Sequence, residues 1–229
     1  MDERVILQVL AEQQEYLEHY RKNTWITRQE ESLFEWESNM AQVVIGVRRS
    51  GKSTLCHKVL LQHNIRYAYA DFDDDRFAAL KTSDLNTVLN CLYQLYGTDI
   101  QYIFLDEIQN VEGWHLFVNR LLRQGMYVFL TGSNAKLLSS ELATHLTGRY
   151  NEIRLYPFSY LEYCQSEDIS LHSITTQANA ARKAALTTYL QDGGMPELRN
   201  ITRLQNRRIY VESLVETIVS KDIVGRYKI

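Results

Sequence analysis

The chain has 229 residues, with 25 Lys and Arg against 28 Asp and Glu for a formal charge of −3, 45% hydrophobic content, and only 10 Gly and 2 Pro. That composition excludes a disordered or collagen-like chain and leaves room for a large α/β core with a second, small domain. A slightly acidic balance also excludes a protein that coats nucleic acid through a bulk positive field, so any nucleic-acid contact is local.

From residue 2 to about 38, hydrophobic spacing predicts two helical stretches, with Ile6, Val9, Leu10 and Leu17 on one face of the first and Leu33, Phe34 and Trp36 on the second. Five short apolar runs follow, Gln42–Ile45, Tyr67–Ala70, Tyr102–Leu105, Tyr127–Leu130 and Glu152–Leu155, separated by helical spacing such as Leu85–Tyr96 and Trp114–Leu122. Strands alternating with helices imply βαβ crossovers and a mostly parallel sheet covered on both faces. From about Thr176 the pattern is helical, interrupted by the turn signal Gln191-Asp192-Gly193-Gly194-Met195-Pro196. The expected organisation is a helical segment over 1–38, a nucleotide-type core over 39–165 and a helical region over 166–229. Cys56, Cys91 and Cys164 form no CxxC pair, so a reduced, cytoplasmic setting is expected. No apolar run approaches the ~20 residues that span a bilayer, and Met1-Asp2-Glu3 does not open a signal peptide, so no membrane partner is expected.

The strongest chemical signal is Gly46-Val47-Arg48-Arg49-Ser50-Gly51-Lys52-Ser53, which fits GxxxxGK[ST] between the first strand and a helical run from Thr54 to Leu61. Backbone N–H groups over 46–54 would cradle phosphate at a helix N-terminus, Lys52 would reach the β- and γ-phosphates, and the Ser53 hydroxyl would ligate Mg²⁺. Arg48 and Arg49 meet phosphate or pair with surface acids, and exposed ion pairing is the favoured reading.

The third run ends in Asp106-Glu107, acids delivered to the sheet's carboxyl edge, where ligands bind. Asp106 is expected to hold Mg²⁺ through water and Glu107 to polarise the water that attacks the γ-phosphate. Asp106 is followed by Glu107-Ile108-Gln109 where a GTPase would show DxxG, no NKxD occurs downstream and no LSGGQ-like string speaks for a transporter ATPase, while a small-molecule kinase needs phosphate-binding lid arginines rather than a water-activating Glu. The fourth run leads into Thr131-Gly132-Ser133-Asn134, where additional-strand ATPases carry a polar residue that reads the γ-phosphate; Ser133 and Asn134 serve there, or cap the helix that follows. Arg149, just before the fifth strand, would neutralise transition-state charge in its own subunit or in a neighbour's, which allows an oligomer, or else form an ordinary salt bridge.

Other patterns carry less chemistry. Asp71, Asp73, Asp74 and Asp75 read as an acidic surface turn or as a second layer around Mg²⁺, without calcium-loop spacing. Arg199, Arg203 and Arg207 recur at helical spacing, as a phosphate-contacting face or a solvated, ion-paired one. No HExxH or GxSxG frame supports a protease or esterase.

The ordered strings VVIGVRRSGKSTL, YIFLDEIQNVEGW, FLTGSNAKLLSSELATHLTGRY, RLYPFSYLEY, GGMPE and SKDIVGRYKI resemble the prokaryotic AAA+-type ATPases that carry a C-terminal domain of unknown function. The resemblance runs from Trp25 to the end. It implies a phosphate-loop NTPase of additional-strand type, a five-stranded parallel sheet between helices followed by a small helical region, binding ATP and Mg²⁺ with Lys52, Ser53, Asp106 and Glu107 in the roles above. It also places Arg28 in the adenine pocket. Members of that family continue well past the string at 220–229, so the expectation is an ATPase part truncated, or naturally short, whose DNA or protein partner is engaged through the C-terminal domain. The function expected is Mg²⁺-dependent ATP hydrolysis; a nucleotide-binding switch with negligible turnover, or less favourably a phosphate-loop kinase, is the alternative.

Overall fold

Each of the five apolar runs forms a strand of one sheet in a computed structural model of the chain, which describes residues 1–20, 24–36, 38–133, 139–146 and 148–224. The strands are β1 (Ala41–Gly46), β2 (Tyr67–Asp71), β3 (Tyr102–Asp106), β4 (Tyr127–Ser133) and β5 (Tyr150–Leu155), in spatial order β2-β3-β4-β1-β5. All four pairings are parallel. β4 is the additional strand, lying between β1, which enters the phosphate loop, and β3, which delivers the acids. With every strand parallel, all five carboxyl ends lie along one edge.

Period-two alternation sorts the strand residues to two apolar layers. Val43, Ile45, Ile103, Leu105, Val128 and Leu130 pack with α1 (Glu3–Tyr20), α3 (Leu85–Tyr96), α4 (Trp114–Arg123) and α5 (Ser139–Leu146). Val44, Tyr69, Phe104, Phe129 and Ile153 pack on the other face with α2 (Lys52–Gln62). On α4 the buried residues Trp114, Phe117, Val118, Leu121 and Leu122 fall at i, i+3, i+4, i+7 and i+8, a single stripe. Each such side chain removed from water contributes about 1.5–3 kcal/mol. Gln13 interrupts the apolar stripe of α1, and its amide donates to the Asp71 carbonyl (3.0 Å) while accepting from the Asp71 N–H (2.9 Å). The end of edge strand β2 thereby gains the partners a neighbouring strand would provide.

One expected helix is absent. Leu33, Phe34 and Trp36 lie at i, i+1 and i+3, which does not make a stripe, and the segment forms only a 3₁₀ turn at Gln29–Leu33 before running extended. Phe34 is buried, stacked 5.7 Å from Phe129, whereas Leu33 is exposed.

After β5 come α6 (Tyr160–Ser166), α7 (Thr176–Asp192), a 3₁₀ turn at Pro196–Asn200 and α8 (Leu204–Thr217), continued by a π-helical stretch over Ile218–Val224. The expected boundary near 165 falls at the end of α6. Both glycines of the turn after α7 have physical reasons. Gly193 ends α7 at φ 83°. A Cβ on Gly194 would lie 2.1 Å from the Phe158 carbonyl oxygen, because the Gly194 carbonyl accepts from the Phe158 N–H at 2.7 Å. The C-terminal helices are therefore fastened, backbone to backbone, to the segment that leaves the sheet.

Candidate functional site

The loop between β1 and α2 turns on Gly51, the N-cap of α2, at φ 95° and ψ 24°. Gly46 serves a different need from the one its motif position suggests, since a Cβ there would lie 2.1 Å from the Leu155 carbonyl oxygen and force β5 away from β1. Between them Arg49 adopts the left-handed conformation at φ 61°, Ser50 is fully buried, and Lys52 is buried with Nζ donating to the Val47 carbonyl at 3.1 Å. Ser50 Oγ has no hydrogen-bond partner. A loop with a buried, unpartnered Ser50 hydroxyl, a buried ammonium resting on one of the loop's own carbonyls and a helix N-terminus at its exit fits a phosphate group.

The acids stand opposite this loop. Asp106, the last residue of β3, is buried and accepts hydrogen bonds from the Thr131 and Tyr69 hydroxyls, the latter at 3.2 Å, and is joined by Ser53. Burial raises its pKa, and those donors together with Lys52 pull it back. Glu107 sits in the left-handed region at φ 53°, its N–H donating to Thr131 Oγ1 at 3.2 Å and its carboxylate accepting from the Gln109 amide. Left-handed backbone at a non-glycine is strain of the sort that concentrates at working sites. Burial raises the Glu107 pKa and the nearby Lys52 lowers it. Asp71, paired in register with Asp106 across β2 and β3, has its pKa pushed up to about 7 by burial and by the Asp106 charge.

Two cavities meet at Gly51 and Thr54. The first, about 590 Å³, is walled by Lys52, Ser53, Asp106 and Glu107 together with Arg48 and Arg49. The second, about 640 Å³, is walled by Tyr16, Tyr20, Trp25 and Phe158, with Arg28 and Lys58 at its base. Trp25 Nε1 is buried there without a partner. Val47 and Ser50 belong to the loop itself, and Thr54 opens α2 between the two spaces.

Arg28 lies in the wall of the second cavity with its guanidinium bonded to protein. Nε donates to Glu162 at 2.7 Å, Nη2 to the Tyr156 carbonyl at 2.6 Å and Nη1 to the Ser50 carbonyl at 3.3 Å, over the Phe158 ring at 5.0 Å. It is a clamp tying the N-terminal strap, the phosphate loop and α6 together. Lys58 fastens the same strap, bonding Glu31 and the Ile26 carbonyl. Arg28→Ala is expected to destabilise the chain by about 3–5 kcal/mol, because it leaves the Glu162 carboxylate buried with only the Ser159 N–H and hydroxyl and no cation. Denaturant unfolding measures this, and a loss under 1 kcal/mol would deny the clamp.

The structure does not bring Arg149 to the phosphate cavity of its own chain. Arg149 is exposed, and its carbonyl accepts from the N–H of Ala41, the first residue of β1, so it stands at the amino edge of the sheet. A strand of this length puts it about 17–20 Å from the phosphate loop. The own-subunit placement is thus corrected to an exposed surface position. Ser133 is the last residue of β4, paired in register with Gly46, and Asn134 lies outside the described residues. The favoured surface pairing of Arg49 is also corrected, since its guanidinium lies over the Tyr210 ring at 5.7 Å. Arg199, Arg203 and Arg207 do not share one helical face: Arg199 is in the 3₁₀ turn, Arg203 caps α8, and Arg207 bonds Asp192 at 2.9 Å. Thr131, Tyr69 and Gln109 carry no motif that marks them as site residues, whereas Asp71, expected in a surface turn or as a second layer around Mg²⁺, lines the first cavity. Asp71 carried a usable signal, because it ends an apolar strand as Asp106 does.

This sheet order, with a phosphate-type loop after β1 and acids at the end of β3, defines an α/β fold of the phosphate-loop NTPase class. Residues 38–164 match the AAA domain family, and the chain belongs to it. The chain is similar to an uncharacterised protein of Methanocaldococcus jannaschii, 31% identical over 196 residues that cover 83% of this chain and 43% of that protein. It is also similar to an uncharacterised protein of Haemophilus influenzae, 32% identical over 197 residues, covering 83% of this chain and 48% of the other. The chain thus spans less than half the length of these relatives. Among the described residues no helix is long and apolar enough to cross a membrane.

Proposed function

We propose that this chain is a Mg²⁺-dependent ATPase module whose turnover drives or regulates an appended domain or partner. The observation that carries the reading is the meeting of Lys52, Ser53, Asp106 and Glu107 on one cavity that opens into an aromatic-walled second one. The second cavity suits a purine: Tyr20 and Trp25 offer flat apolar faces, and the unpartnered Trp25 N–H offers a donor to a ring nitrogen. The first suits the triphosphate. Lys52 exchanges the Val47 carbonyl for β- and γ-phosphate oxygens, and the buried Ser50 hydroxyl gains an acceptor. Ser53 and Asp106 would hold Mg²⁺, which supplies charge neutralisation at the phosphate oxygens when bound. Among the described residues no group of three His, Cys, Asp or Glu forms a metal cage, consistent with a cation held jointly by protein and phosphate. Glu107, fixed through one carboxylate oxygen by Gln109, takes the proton of the attacking water.

Arg149 then works on a neighbouring subunit's site. Mixing Arg149→Ala with Lys52→Ala chains is expected to restore part of the turnover that each lacks, because every mixed interface can assemble one intact site. Phosphate release on mixing checks this, and no gain over either variant alone would return Arg149 to a surface role. A DNA or protein partner would be engaged through a C-terminal domain, and the exposed Leu190, Leu204, Ile209 and Val215 of α7 and α8 support an apolar contact with such a domain. Calorimetric titration of the chain with ATP tests the nucleotide reading: one site, tighter with Mg²⁺, is expected, and no binding up to millimolar ATP would overturn it.

A further inference from the structure

Helix α8 presents Tyr210, Ser213, Leu214 and Thr217 to the cavity that holds Lys52, Asp106 and Glu107. The spacing i, i+3, i+4 and i+7 makes this one face, and three of its four residues carry hydroxyls. The Thr217 hydroxyl already donates to the Ser213 carbonyl at 2.8 Å. Tyr210 Oη, by contrast, is buried, and although the Arg49 guanidinium donates toward it, its own proton meets no acceptor. The nearest cation does not resolve this. Arg49 lies over the ring at 5.7 Å from its centroid, and a guanidinium, having no acceptor atom, cannot receive a hydroxyl proton. A buried O–H without an acceptor is costly, and such groups in native proteins are normally satisfied by something. The cavity it lines is the one read above as a triphosphate site, which also holds the two acids, and not the aromatic-walled one.

We propose that Tyr210 is a phosphate ligand, its hydroxyl donating to an oxygen of the terminal phosphate of a bound nucleoside triphosphate, so that α8 distinguishes tri- from diphosphate. This rests on the ATP reading of the cavity. Stacking by Arg49, whose backbone is left-handed at φ 61°, orients the ring. The terminal phosphate would thus be bonded from both sides, by the loop residue Lys52 and by a helix of the C-terminal region. Loss of that phosphate on hydrolysis removes the α8 contact and leaves the loop contacts to the β-phosphate in place.

The experiment compares the full chain and its Tyr210→Phe variant by calorimetry with Mg²⁺, using ADP and the non-hydrolysable β,γ-imido analogue of ATP as probes. Phenylalanine keeps the ring under Arg49 and deletes only the hydroxyl. Expected are an affinity for the imido triphosphate lowered about 10-fold, the scale for one hydrogen bond to a charged oxygen, an ADP affinity unchanged within about twofold, and an unchanged melting temperature. Equal losses for both nucleotides, or no loss for either, would overturn the Tyr210 assignment while leaving the ATP reading standing. Failure of the unsubstituted chain to bind either nucleotide would overturn both.

Discussion

Glu107→Gln is expected to leave ATP binding intact while lowering turnover by about 10²-fold or more, the scale for losing a positioned general base. Glutamine keeps the side-chain length and the acceptor for the Gln109 amide but cannot take the water's proton. The structure supports assigning the role to this carboxylate. Its backbone is held in the left-handed region with the N–H on Thr131, one carboxylate oxygen is bonded by Gln109, and the residue lines the cavity with Lys52. Burial raises its pKa, which makes it a better proton acceptor than an exposed glutamate. Steady-state phosphate release, with ATP affinity measured in parallel, gives the result. Turnover within about twofold of the unsubstituted chain would move the base elsewhere or deny a lytic water.

The second large effect is on binding. Lys52→Ala is expected to lower ATP affinity by more than about 100-fold, because the buried ammonium is the cation that the loop turns into the phosphate cavity and charge-assisted contacts to phosphate exceed neutral ones in strength. Stability is measured in parallel, because Lys52 Nζ donates to a carbonyl of its own loop and its charge also acts on the buried Asp106 and Glu107. Calorimetry and a melting curve together decide: unchanged affinity would remove the phosphate-loop assignment, whatever the stability.

Much of the fold was legible because it is built from local repeats. The strand runs around Val43, Phe104 and Phe129 are apolar on both sides, and the stripes of α3 and α4 have strict helical spacing. The phosphate loop and Asp106-Glu107 were legible for the same reason, since each is a short contiguous string beside a strand. Residues that act through long-range contact were not. Glu162 reads locally as the N3 residue of the Ser159 capping box, and nothing in the sequence signals that Arg28, 134 positions earlier, reaches it. Tyr210 looked like one more scattered aromatic until α8 laid it on the phosphate cavity. Arg149 shows the converse: it does lie just before β5, but a parallel sheet puts that position at the edge opposite the loop. Phe34 and Trp36 do not extend a helix, because Leu33, Phe34 and Trp36 make no repeating stripe; the two aromatics pack together against Phe129.

Phosphate release from ATP by the unsubstituted chain, followed with excess Mg²⁺ and again after chelation by EDTA, tests the central claim most directly. The account predicts release that is sustained over many turnovers with Mg²⁺ and abolished by EDTA. Tight ATP binding with no phosphate released over hours, in the presence of Mg²⁺, would contradict it and leave a nucleotide-binding switch in its place.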